Sequence, residues 1–163
     1  MYRGSAEGAE FSKNPLISHK ETYRYHGGVQ SLEECERKAT GAFKHFLDRD
    51  SGALQASYFR LLWNCVRLLH RQEFLTCEDK LEFAKIVRST LSADETLLLA
   101  IYGLSESGRK VGEKFIGRYK LIKYLRISDI EMYPFLVQSY GRAAFGDRYE
   151  TVEGAMRRGM NRK

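Results

Sequence analysis

Residues Leu91 to Tyr124, LSADETLLLAIYGLSESGRKVGEKFIGRYKLIKY, decide how the chain is read. Ser92 and Glu95 have the S-x-x-E spacing of a capping box. In that arrangement the serine hydroxyl accepts from an orphan amide of the first turn, and the glutamate carboxylate accepts from the serine amide. Asp94 places a further negative charge at the positive end of the helix dipole. Leu97, Leu98, Leu99, Ala100, Ile101 and Tyr102 then follow without a polar break. This run is too continuous for a helix with one wet face, so a central helix covered on several sides is expected. Gly103, able to take the left-handed conformation just past a helix end, is expected to stop it. Such a helix is a core element without chemistry of its own, because a ligand-lining helix interrupts its apolar run with polar groups.

Other helices are legible on both sides. Ser31 and Glu34 repeat the capping spacing ahead of Leu32, Cys35, Ala39, Ala42, Phe43, Phe46 and Leu47, whose steps of three and four form one stripe ending at Asp48–Gly52. A second helix is expected from about Ala53 to Phe74, burying Tyr58, Leu61, Leu62, Cys65, Leu68 and Leu69, with Trp63 and Val66 broadening that face. Thr76 and Asp79 open a third, with Leu81, Ala84, Val87 and Leu91 inward. Beyond the central helix, Val111, Phe115, Tyr119 and Ile122 make a stripe that Gly112 and Gly117 weaken, so one helix or two short pieces are both open. Pro134 demands a helix start or a kink. A short helix and a frayed basic tail are expected from Gly141 onward.

No alternating strand pattern or internal repeat occurs. The expected fold is all-α, a single globular helical domain of about five to seven helices. Residues 1–30, rich in Gly, Ser, Asn and charge with scattered Tyr2, Phe11, Tyr23 and Tyr25, read as an extended or disordered arm. Residues 31–145 form the helical domain and 146–163 a basic C-terminal tail.

A chain of 163 residues with 43% apolar and 29% charged residues has the composition of one globular domain. Cys35, Cys65 and Cys77 are odd in number, widely spaced and set in helical patterns, which points to reduced core thiols and away from disulfides or a zinc site. No apolar run approaches the roughly 20 residues that cross a bilayer, and the N-terminus lacks a signal-peptide pattern. The cytoplasm is the expected compartment.

The net charge of +6 has an address. Arg109, Lys110, Lys114, Arg118, Lys120, Lys123 and Arg126 face the single acid Glu113 between positions 109 and 126, while the rest of the chain carries equal numbers of basic and acidic residues. Lys110, Lys114 and Arg118 recur every four residues and line one flank of a helix, where they can meet phosphates or an acidic protein surface, or else lie as a solvated flank over the core. Tyr119 and Tyr124 interleave with these charges; Tyr119 also fits the core.

No catalytic constellation is recognised. His45 and His70 read as helix-surface residues, and no histidine pair has metal-ligand spacing. Phosphate-loop and nucleophile-elbow motifs are missing. Helical RNases of defence systems set an arginine and a histidine on one helix with about four to six residues between them, roughly one and a half to two turns. Here seven residues separate Arg37 from His45, nine separate Arg60 from His70, and two separate Arg67 from His70.

Leu91, Ser92 and Glu95, the leucine run, Tyr102–Ser105, Gly108, Phe115, Ile116, Tyr119, Leu121, Ile122 and Leu125 together resemble the phage abortive-infection protein family of bacteria. Tyr58, Phe59, Leu61 and Leu62 extend the likeness upstream, over residues 55–125 or so. The shared pattern consists mostly of helix caps and apolar spacing. The resemblance implies bacterial anti-phage defence, with no known reaction and no accepted catalytic residues. Many members carry membrane segments ahead of this region; none is read in this chain.

The expected function is therefore anti-phage defence by binding a phage or host component, protein or nucleic acid, through the Arg109–Arg126 segment. The alternatives are a cryptic RNase or other toxin, or a helical nucleic-acid-binding module. No cofactor or metal is expected.

Overall fold

The computed structural model describes residues 31–48 and 52–161; the arm expected at 1–30 lies outside the described residues. Among those described, every regular element is helical. They are α1 (Leu32–Leu47), α2 (Gly52–Arg71), α3 (Cys77–Thr90), α4 (Ala93–Leu104), α5 (Arg109–Tyr119), α6 (Ile127–Met132), α7 (Phe135–Phe145), a 3-10 turn (Gly146–Arg148) and α8 (Tyr149–Asn161). None is long and apolar enough to cross a membrane.

Helix α4 is the axis of the fold. Every residue from Thr96 to Leu104 is buried, and α1, α5 and α7 pack around it. Its capping box forms as the sequence dictates: the Glu95 amide donates to Ser92 Oγ at 3.2 Å and the Ser92 amide to Glu95 Oε2 at 2.7 Å. Thr76 and Asp79 do the same for α3, at 3.1 and 2.9 Å. Ser31 caps α1 through the Glu34 amide at 3.2 Å, and the Glu34 carboxylate reaches forward to Lys38 at 3.1 Å.

Gly103 does not stop the helix. It lies inside α4, which runs on to Leu104 and is closed by Ser105. Its missing side chain serves packing: a Cβ there would meet the Tyr140 hydroxyl at 2.5 Å and Ile116 Cδ1 at 2.6 Å. Gly112 is its counterpart on α5, so the glycine that weakens the local helix signal is what lets α5 lie against α4 as one continuous helix.

The buried face of α2 also differs from the expectation. Phe59, Trp63 and Val66 are buried, whereas Leu61 and Leu68 are 63% and 62% exposed and Tyr58 and Cys65 lie on the surface. Both stripes have helical periodicity. The winning one carries the large aromatics: Phe59 stacks on Tyr102 at 5.4 Å, Trp63 stacks on the same ring at 6.4 Å, and Phe43 joins them edge-on at 5.9 Å from Tyr102. The greater area removed from water selects that side. The helix ends at Arg71, leaving Phe74 exposed. Cys65 and Cys77 are free thiols, but they are exposed instead of buried.

Pro134 immediately precedes α7, as a helix start requires. In place of a frayed tail, α8 packs on α6 and α7 and buries Val152, Ala155 and Gly159. Gly159 allows the contact with α6, since a Cβ there would lie 2.2 Å from the Glu131 carbonyl oxygen.

Candidate anion-binding face

Helix α5 presents two unlike sides. Gly112, Phe115, Ile116 and Tyr119 are buried against the core. Lys110, Lys114 and Arg118, one turn apart, are exposed. The helix is closed by Lys120 in the left-handed conformation, φ 52°, with its amide donating back to Ile116 and Gly117. The first turn holds Arg109 and Lys110, no acidic residue and no side-chain cap. Cations therefore sit where the helix dipole is already positive, an arrangement that helix stability does not call for and that favours an incoming anion.

The last turn of α2 packs beside this flank. Arg67, His70 and Arg71 from α2, with Lys110, Val111, Lys114 and Phe115 from α5, line an open cleft of about 200 Å³. Among the described residues, no acidic side chain lines it. His70 anchors the junction: its Nδ1 lies 3.0 Å from the Tyr119 hydroxyl, and its ring meets Phe115 edge-on at 5.1 Å. The residue expected on the surface is thus half-buried and hydrogen-bonded. Burial, then the charges of Lys114, Arg118 and Lys80, push its pKa below the ordinary value of 6.5, so a neutral imidazole stands among cations at neutral pH.

The other four residues of the basic segment have structural positions. Arg109 pairs with Glu36 at 2.8 Å and also donates to the Leu104 carbonyl at 3.2 Å. Lys123 pairs with Asp147 at 2.5 Å. Arg126 joins Asp94 and Asp129, each at 2.6 Å, and the Asp129 side chain is only 1% exposed. Lys120 is half-buried and runs beside Gly146. The contiguous charge of the sequence is therefore divided in space. Lys110, Lys114 and Arg118 have no ion-pair partner among the described residues.

Arg67 and Arg71 join them from a helix some forty positions earlier in the chain. In the sequence Arg67 stands out only for its spacing to His70, and Arg71 has no distinguishing pattern of its own. A signal existed: positions 67, 70 and 71 share one side of a helix end. Only the packing of α2 on α5 brings that side to the lysines.

The described residues thus define an all-α helical domain whose surface carries a cation-lined cleft. Residues 54–130 match the family model described as "Putative phage abortive infection protein". The matched segment spans α3, α4, α5 and both walls of the cleft. No curated protein and no solved structure gives a match to the chain.

Proposed function

We propose that this protein acts in bacterial anti-phage defence by binding an anionic phage or host component through the face formed by Lys110, Lys114 and Arg118. One observation carries the reading. Within the segment matched by the abortive-infection family, three successive turns of α5 expose cations without acidic partners among the described residues, and a second helix adds Arg67 and Arg71 to the cleft that Lys110 and Lys114 line. Arg109, Lys123 and Arg126, also candidates from the sequence, support the face by fixing α5 and its C-terminal loop to the rest of the fold through their ion pairs, while Lys120, the remaining candidate, lies beside Gly146.

The test is a phage challenge with the Lys110→Gln, Lys114→Gln, Arg118→Gln triple variant. Exposed charges contribute little to stability, so the variant is expected to fold with a nearly unchanged melting temperature. Protection is expected to fall. A folded triple variant that protects as well as the parent would reduce the face to a solvated flank and overturn the reading.

A further inference from the structure

At the C-terminal end of α5 the basic track meets an exposed aromatic ring. Tyr124 is 60% exposed, and three cations surround it: Lys123 Nζ at 5.6 Å from the ring centroid, Arg148 at 5.7 Å and Arg88 at 5.8 Å. Backbone carbonyls fix this cluster. Arg88 Nη1 donates to the Tyr119 carbonyl at 2.8 Å, and Arg148 Nη1 donates to the Lys123 carbonyl at 2.5 Å. Neither guanidinium has a carboxylate partner among the described residues. Tyr119 connects the two ends of the track, with its hydroxyl at His70 in the cleft and its carbonyl at Arg88 beside Tyr124.

Resting on the reading above, we infer that the anionic partner is a single-stranded nucleic acid, its phosphates following Lys110, Lys114 and Arg118 along α5 and one base stacked on Tyr124. An acidic protein surface would account for the cations and leave a large exposed ring held among them without a purpose. A duplex would present phosphates but keep its bases inside the stack. Only a single strand supplies both a polyanion and an accessible π-face, the combination that stacking platforms on basic grooves recognise. The cations rise along the helix by about 6 Å per step, on the scale of successive phosphates in an extended strand. Phe115 and Val111 give the cleft apolar lining, and no carboxylate among the described residues lines it to repel the backbone.

Fluorescence anisotropy with a labelled single-stranded oligonucleotide of mixed sequence, as RNA and as DNA, measures this directly on the full chain. The expected result is binding that weakens with salt. In the Lys110→Gln, Lys114→Gln, Arg118→Gln variant the slope of log Kd against log salt should be shallower by about 2, since each phosphate contact on a single strand contributes about 0.7. Tyr124→Ala should weaken binding on the order of ten-fold, while Tyr124→Phe, which keeps the ring, should bind like the parent. The ring is exposed, so neither change should move the melting temperature.

Equal affinity for a duplex of the same length, or an unchanged Kd in Tyr124→Ala, would overturn the single-strand inference. So would binding of poly-glutamate in place of the oligonucleotide, or no oligonucleotide binding at all, in a protein whose triple variant loses protection; the anionic-partner reading would survive those outcomes. Full protection by the triple variant would remove both.

Discussion

Gly103 and Gly112 lie against one another across the junction of α4 and α5, so closely that a Cβ on Gly112 would sit 2.4 Å from the Gly103 carbonyl oxygen and 2.6 Å from its Cα. The opposing atoms are backbone and cannot swing aside. Gly112→Ala gains helix propensity of up to about 1 kcal/mol, but it must separate two packed helices. Overpacking of this kind costs about 1–3 kcal/mol, so net destabilisation is expected. Denaturant unfolding at equilibrium measures it, and a stabilised variant would contradict the close approach.

Arg126 is expected to matter for stability where Arg118 does not. It is the ion-pair partner of Asp129, whose side chain is 1% exposed. Removing one partner of a buried pair strands the other, at about 3–5 kcal/mol. Because Arg126 is itself 37% exposed, water screens part of this, and Arg126→Gln should fall toward the lower end of that range. Arg118→Gln should leave the unfolding midpoint nearly where it was. Comparable losses for the two would mean that the basic segment is not divided between structure and surface.

Two leucines separate the expected and observed faces of the core. Leu98 is 6% exposed and Leu61 is 63% exposed. Leu98→Ala should cost about 2–5 kcal/mol through lost burial and the cavity left behind. Leu61→Ala should stay within about 0.5 kcal/mol. Thermal melts of the two variants suffice, and the reverse order would restore the face of α2 that the sequence pattern first suggests.

His70 is expected to impose a pH dependence. Its pKa is lowered below 6.5 by burial and by Lys114 and Arg118 of α5 and Lys80 of α3; Arg67 and Arg71 on its own helix line the same cleft, and the Tyr119 hydroxyl is its neutral partner. A depressed folded value means the unfolded chain takes up the proton first. The His70 contribution is therefore full above pH 6.5 and lost as pH falls through that value toward the folded one. His70→Gln should flatten this loss, measured as the difference in unfolding free energy on either side of that pH. A steeper loss in the variant would show that the histidine gains its proton on folding.

Helix ends were the most legible part of this chain, because a cap is local chemistry. Ser92 with Glu95 and Thr76 with Asp79 form the bonds their spacing implies, and Ser92→Ala should accordingly cost about 1 kcal/mol with function retained. The core run of α4 was equally plain, since no wet face can be drawn through it. Glycine was ambiguous: at 103 and 112 the same residue that marks a stop or a weak helix also marks a close contact, and only the neighbouring helix decides. The buried side of α2 was ambiguous for a related reason, two overlapping apolar stripes with one period. As for the candidate face, Lys110, Lys114 and Arg118 could be placed from spacing alone. Arg67, His70 and Arg71 could not, because the cleft is made by tertiary packing between segments distant in the chain.

Trp63, the single tryptophan of the sequence, is 2% exposed and lies against Tyr102 of α4. Its emission should thus be blue-shifted in the native protein and move red when α2 lifts from the core. The same helix carries Arg67, His70 and Arg71 to the cleft. An intrinsic optical signal, needing no label, therefore reports whether one wall of the cation-lined cleft is in place, and it can be read in the same cuvette while an oligonucleotide is added.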